Sequence, residues 1–189
     1  MPSDLEFANS LQSKVIKSNT RGHYILRKID QWHNREGAYV LMGPSELQLE
    51  HVAPRKPSQI SGWKKKIGEA GYSDSVNRIG NMILLKKRPN REGSNKSFKE
   101  KLVIYREQNK DKYPLLSREV FEIKDWSIEV IEERSRQISE LAVSVWSSAS
   151  TDLQGKFRPK RRQTRAKRSR VTRKNSKRSK KVNKRKKKI

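Results

Sequence analysis

Residues 156–189 contain 20 Lys and Arg, no Asp or Glu, and no recurring apolar position. Such a segment cannot bury enough apolar surface to offset the entropy of ordering it, so it is expected to be a disordered polycation. Whatever folds in this chain must therefore do so within residues 1–155. The whole chain has 189 residues, with 46 Lys and Arg against 20 Asp and Glu and a net charge of +26. Residues 1–155 hold 26 of the basic residues and all 20 acidic ones, so the body is near +6. Its length is close to that at which one hydrophobic core forms, roughly 100 to 150 residues. The organisation expected is one folded domain over 1–155 and a polybasic tail over 156–189.

The chain has no cysteine, which excludes a disulfide scaffold, thiolate zinc ligation and a cysteine nucleophile. Its longest apolar run, residues 38–42, is far short of the roughly 20 residues a membrane span needs. The expectation is a soluble protein with no membrane partner. An excess of positive charge without an amphipathic anchor points to a polyanion, and to nucleic acid before an anionic membrane.

Apolar spacing predicts a mainly helical α+β body. Leu5, Ala8, Leu11 and Val15 mark one helix. Ile25, Ile29 and Trp32 mark a second after Thr20-Arg21-Gly22, ended by Gly37. Residues 39–42 are a short extended candidate. Leu47 and Leu49 alternate with Gln48 and Glu50, as in a half-buried strand that stops at Val52-Ala53-Pro54. A short helix with Trp63, Ile67 and Ala70 is capped by Gly71, and residues 79–85 read as the second strand. Pro89, Asn90, Gly93 and Ser94 read as a loop before a helix over 95–109 carrying Phe98, Leu102 and Tyr105. Ser127 is the expected N-cap of a last long helix, with Glu132 and Arg136 at ion-pair spacing and Trp126 and Trp146 at its ends. Trp63 and Tyr105 are expected in the core.

The chain has three histidines. His23 and His33 lie on or beside the second helix, where a surface or packing role is the plain expectation. His51 differs, because it follows Glu50 where a strand gives way to a loop, so a base and a candidate metal ligand emerge together. Basic residues gather downstream at Lys86, Lys87, Arg88, Arg91, Lys96, Lys99 and Lys101, with Lys64, Lys65 and Lys66 nearby. Either they form a solvated face or they track a nucleic-acid backbone, whose phosphates can be held without reading bases.

Four blocks in order resemble the C-terminal nuclease domain of GmrSD-type modification-dependent restriction systems, a branch of the HNH or His-Me finger endonucleases. Residues 24–29 (Tyr-Ile-Leu-Arg-Lys-Ile) are similar to the opening helix of that family, and Leu49-Glu50-His51-Val52-Ala53-Pro54 to its catalytic strand end. Residues 78–85 (Arg-Ile-Gly-Asn-Met-Ile-Leu-Leu) are similar to its Gly-Asn strand, and Asn90 with residues 94–101 to its Asn-rich metal-site helix. Trp126, Ile131, Arg134, Ala142 and Trp146 fit its closing helix. The likeness covers about residues 20–146 and leaves the tail outside.

The resemblance implies a ββα-metal core surrounded by helices and a metal-dependent DNA endonuclease or nickase, acting in restriction or phage defence. In that reading His51 is the general base and Asn81 a second catalytic-site residue. Glu50 and Asn90 or Asn95 hold one divalent ion, Mg²⁺ or else Mn²⁺, and not zinc. Asn95 could equally cap the following helix, and Asn81 could equally serve the backbone around Gly80. In the family this domain usually follows a nucleotide-hydrolysing domain, so a separate nucleotide-hydrolysing or target-recognition subunit is an expected partner beside DNA. The expected location is cytoplasmic for a bacterial or phage protein and nuclear for a eukaryotic one. The competing function is a non-catalytic nucleic-acid-binding protein that keeps the nuclease fold as a scaffold and binds through its tail.

Overall fold

The structure is a computed structural model that describes residues 2–35, 42–43, 45–107 and 113–147. Gly37, most of the extended candidate at 39–42 and the basic tail lie outside the described residues. The fold is mainly helical around one small sheet, in keeping with the α+β expectation. Among the described residues no helix is long and apolar enough to cross a membrane.

Two helices open the chain. α1 (Asp4–Ser13) starts at a capping box, in which Ser3 and Glu6 satisfy each other's backbone N–H groups. α2 (Asn19–His33) starts on the Ser18 hydroxyl, which accepts from the Arg21 N–H at 3.3 Å. It begins before Gly22 rather than after it, and packing gives the reason. A Cβ on Gly22 would stand 2.8 Å from Met82 Sδ and 3.0 Å from Leu49 Cδ2, so the missing side chain lets α2 lie directly on the sheet.

The sheet has two antiparallel strands, β1 (Leu47–His51) and β2 (Met82–Lys86), in a register that sets Leu49 opposite Leu84, Glu50 opposite Ile83 and His51 opposite Met82. Residues 79–81, expected as strand, form a 3₁₀ turn instead. Met82, Ile83, Leu84 and Leu85 are all buried, so both faces of β2 are covered. Between the strands lie a 3₁₀ turn (Gln59–Ser61), α3 (Trp63–Ile67) and α4 (Tyr72–Val76). The single short helix expected here is split. Gly68, at φ +94°, ends α3, and Gly71 precedes α4.

β2 runs without a break into α5 (Lys87–Gly93), which packs on both strands. This stretch was expected as a loop because of its Pro, Asn and Gly. Pro89, however, is the third residue of α5, within the first turn, where a missing N–H leaves no helical bond unmade. The helix expected over 95–109 is α6 (Phe98–Arg106), and α5 is a further helix ahead of it. The α6 cap is Ser97, in a capping box with Glu100, and not Asn95. α7 (Leu115–Glu122) had no counterpart in the sequence reading.

α8 (Ile128–Trp146) starts at Ser127 as expected and packs on α1, α2 and the 79–81 turn. The Glu132 to Arg136 pair is not made. Arg136 bonds Glu133 and Glu140, while Glu132 bonds Arg78. Trp126 is buried in the core against Phe98, and Trp146 packs at the far end of α8 against Phe7 and Tyr24. Trp63 and Tyr105 are core residues. Arg134 is buried too. Its guanidinium donates to the carbonyls of Gly80 at 2.9 Å, Leu116 at 3.3 Å and Met82 at 3.5 Å, which ties α8 to the start of β2.

Candidate active site

His51 ends β1, and the chain turns away immediately after it through Val52, Ala53 and Pro54, all buried. Asn81 holds that turn. Its backbone carbonyl accepts from the Val52 N–H at 2.9 Å, and its side-chain Oδ1 accepts from the Ala53 N–H at 2.8 Å and from Trp126 Nε1 at 3.1 Å. Its Nδ2 donates to the carbonyls of Ala53 at 2.9 Å and Val76 at 2.8 Å. With 0% exposure and every lone pair and proton of the amide engaged, Asn81 does not reach a surface where a substrate could meet it. These bonds are those of a side chain that serves the backbone, one of the two roles expected of Asn81. Tyr72 adds a second clamp, donating its hydroxyl proton to the Pro54 carbonyl at 2.7 Å.

His51 and Glu50 line an open cleft of about 1270 Å³. Burial, aided by the positive charges of Arg55 and Lys101, pushes the His51 imidazole down to about 4. It is therefore neutral near pH 7, with one N–H and one lone pair. Its Nε2 is enclosed and has no hydrogen-bond partner among the described residues.

Glu50 was expected on the solvated side of its strand and is instead buried. Its Oε1 accepts from Lys101 Nζ at 2.6 Å and from the Tyr105 hydroxyl at 3.3 Å, both supplied by α6. Lys101 also donates to the His51 carbonyl at 3.2 Å. Burial raises the Glu50 carboxyl and lowers the Lys101 ammonium, and the attraction between the two opposes both changes. Lys101, at 0% exposure, thus belongs neither to a solvated face nor to a nucleic-acid track, the two roles weighed for it from the sequence.

The two rival asparagines part company. Asn90 lies within α5, where its Nδ2 donates to the Leu49 carbonyl at 3.3 Å, and its Oδ1 has no partner among the described residues. Asn95 is exposed in the turn between α5 and α6. Both line the cleft with Glu50 and His51. The oxygens on offer to a cation are therefore carboxylate and amide oxygens. Such donors suit a hard ion like Mg²⁺, which keeps most of its shell for water and phosphate.

Of the basic residues singled out in the sequence, Arg91 alone is on the cleft wall. Lys64, Lys65, Lys66, Lys87, Arg88, Lys96 and Lys99 are exposed elsewhere, and Lys86 is half-buried. Lys66 bonds Asp125, and Arg88 bonds Glu92 one turn on. The cleft takes its other cations from Lys17, Arg55 and Lys56, which sequence reading missed. Arg55 reaches the Lys17 carbonyl at 3.3 Å, joining the loop after β1 to the α1–α2 linker. A signal was available, since Arg55 and Lys56 directly follow the strand-end motif. His23 also lines the cleft, bonded through Nε2 to the Leu47 carbonyl at 3.2 Å. Glu50 is the one acid on that wall, and Lys101 already neutralises it. The cleft is cationic, fit for a phosphodiester.

No curated protein sequence matches the chain. Residues 1–141 match the family described as GmrSD restriction endonucleases, C-terminal domain. That stretch holds every residue named on the cleft wall, and a match over most of the chain decides the matter: the protein belongs to the GmrSD restriction endonuclease C-terminal domain family, and its class is that of a restriction-type nuclease.

Proposed function

We propose that the chain is a metal-dependent DNA endonuclease or nickase of the HNH type, in which β1, β2 and α5 form the ββα-metal core. The observation that carries this reading is a neutral histidine in a cleft with four cations and no unpaired acid. Phosphodiester hydrolysis needs a deprotonated water, neutralisation of the charge that builds on phosphorus, and stabilisation of the leaving alkoxide.

With Nε2 enclosed, His51 takes the water proton on Nδ1. Asn81 and Tyr72 fix the turn that aims the ring. Lys17, Arg55, Lys56 and Arg91 hold the phosphates on either side of the scissile bond. Glu50, through Oε2, and Asn90, through Oδ1, would hold the ion, with Asn95 at the cleft edge. A bound Mg²⁺ would supply charge neutralisation at the phosphate and at the leaving oxygen. None of the cleft cations needs to read bases, so target choice lies with another part of the system, such as a nucleotide-hydrolysing or recognition subunit.

The test is incubation of the purified protein with supercoiled plasmid in Mg²⁺, Mn²⁺ or chelator. Relaxed or linear product that appears only with metal is the expected result. Folded protein that binds plasmid and leaves it intact under every condition would favour the non-catalytic binder instead.

A further inference from the structure

Glu50 is a carboxylate with its cation already in place. Lys101 sits at the third position after Phe98 in the apolar stripe of α6, so the helix carries its ammonium into the core rather than into solvent. Its stem lies under α5, where Cγ would be 3.7 Å from a Cβ on Gly93. There the ammonium holds Glu50 Oε1 at 2.6 Å and the His51 carbonyl at 3.2 Å. With the side chain fully buried, its ammonium lies beside any divalent ion arriving at the same carboxylate. Two like charges at a shared carboxylate in a poorly solvated site repel strongly.

We propose that Lys101 is a positioning residue that braces Glu50 and the His51 backbone and competes with divalent metal for Glu50, so that the free protein binds the ion weakly and substrate phosphate completes the site. This rests on the nuclease reading above and deepens it. The remaining donors, one carboxylate oxygen and amide oxygens, fill too little of an octahedral shell to retain a Mg²⁺ ion by themselves. Phosphate adds the missing anionic oxygens and offsets the ammonium. Metal and DNA then bind with positive coupling, and the resting protein carries no competent ion.

The experiment is calorimetric titration of Mn²⁺ into the full chain, alone and with a phosphorothioate duplex that resists cleavage. It compares wild type, Lys101→Met and the neutral pair Glu50→Gln/Lys101→Met. For wild type, the duplex should tighten Mn²⁺ binding by about tenfold or more, the low end of what close charges are worth to each other. Without DNA, Lys101→Met should bind Mn²⁺ at least about tenfold more tightly than wild type, a gain that a merely structural lysine could not produce. Equal or weaker Mn²⁺ binding by folded Lys101→Met would overturn the proposal.

If Lys101→Met does not fold, because it leaves a buried carboxylate unpaired, the neutral pair decides. It should match wild type without DNA and lose the gain conferred by the duplex. A neutral pair already much weaker than wild type without DNA would show Glu50 open to the ion and overturn the proposal. These titrations need no turnover, so a failed plasmid assay sinks the nuclease reading while a failed titration sinks only the competition.

Discussion

Gly80 lies against the backbone of α8, where a Cβ would stand 2.1 Å from the Ile131 carbonyl oxygen and 2.6 Å from the Ser135 nitrogen. Its N–H donates to the Ser135 hydroxyl at 3.1 Å, and its carbonyl accepts from Arg134. The turn that leads into β2 is thus pressed onto the long helix, and Asn81, the next residue, inherits its place from that contact. Gly80→Ala must push α8 away. The expected cost is at the top of the overpacking range, about 3 kcal/mol, read as a lower urea midpoint with an unchanged slope. A midpoint equal to wild type would mean that α8 does not approach so closely.

Asn81→Ala strands the Ala53 N–H and Trp126 Nε1 in the core. Each unsatisfied buried group costs about 1 to 3 kcal/mol, so the variant should lose stability along with cleavage. Urea denaturation and plasmid nicking on the same sample separate the two roles. Full stability with cleavage abolished would return Asn81 to the chemistry.

Ser97 and Asn95 test the start of α6. Ser97→Ala removes the capping box and should cost about 1 kcal/mol. Asn95→Ala, at an exposed turn, should change stability by less than about 0.5 kcal/mol. Thermal melting of the two variants checks this, and the reverse order would restore Asn95 as the cap.

The basic tail should act by counterion release. If a third to a half of its 20 charges engage DNA at once, ending the chain at Gly155 should make the slope of log affinity against log salt shallower by roughly 6 to 9. Cleavage at low salt should survive. DNA binding measured at several salt concentrations gives the slope, and an unchanged slope would exclude the tail from the contact.

Much of this was legible in the residues, for identifiable reasons. Leu47 and Leu49 beside a strand-end His51 located β1, and the apolar spacing of 128–145 located α8 with its Ser127 cap. What escaped depended on partners distant in sequence. Glu50 reads as solvent-facing on an alternating strand until α6 brings Lys101 and Tyr105 to it. Lys101 itself lies on the Phe98, Leu102, Tyr105 stripe, a spacing signal that its charge masked. The residues of α5 look like a loop by composition, and only the tolerance of a helix's first turn for proline reconciles Pro89 with what forms. Arg55 and Lys56 were passed over because cations were sought in the denser runs at 64–66 and 86–101, whereas the cleft opens beside the turn after β1.

That His51 supplies the base can be read from nicking of supercoiled plasmid in Mg²⁺ by wild type and His51→Ala. The variant's rate should be lower by about 10² to 10⁴, with the melting temperature and plasmid affinity nearly unchanged, since the base adds little to phosphate binding. Undiminished nicking by folded His51→Ala, free of contaminating nuclease, would contradict it.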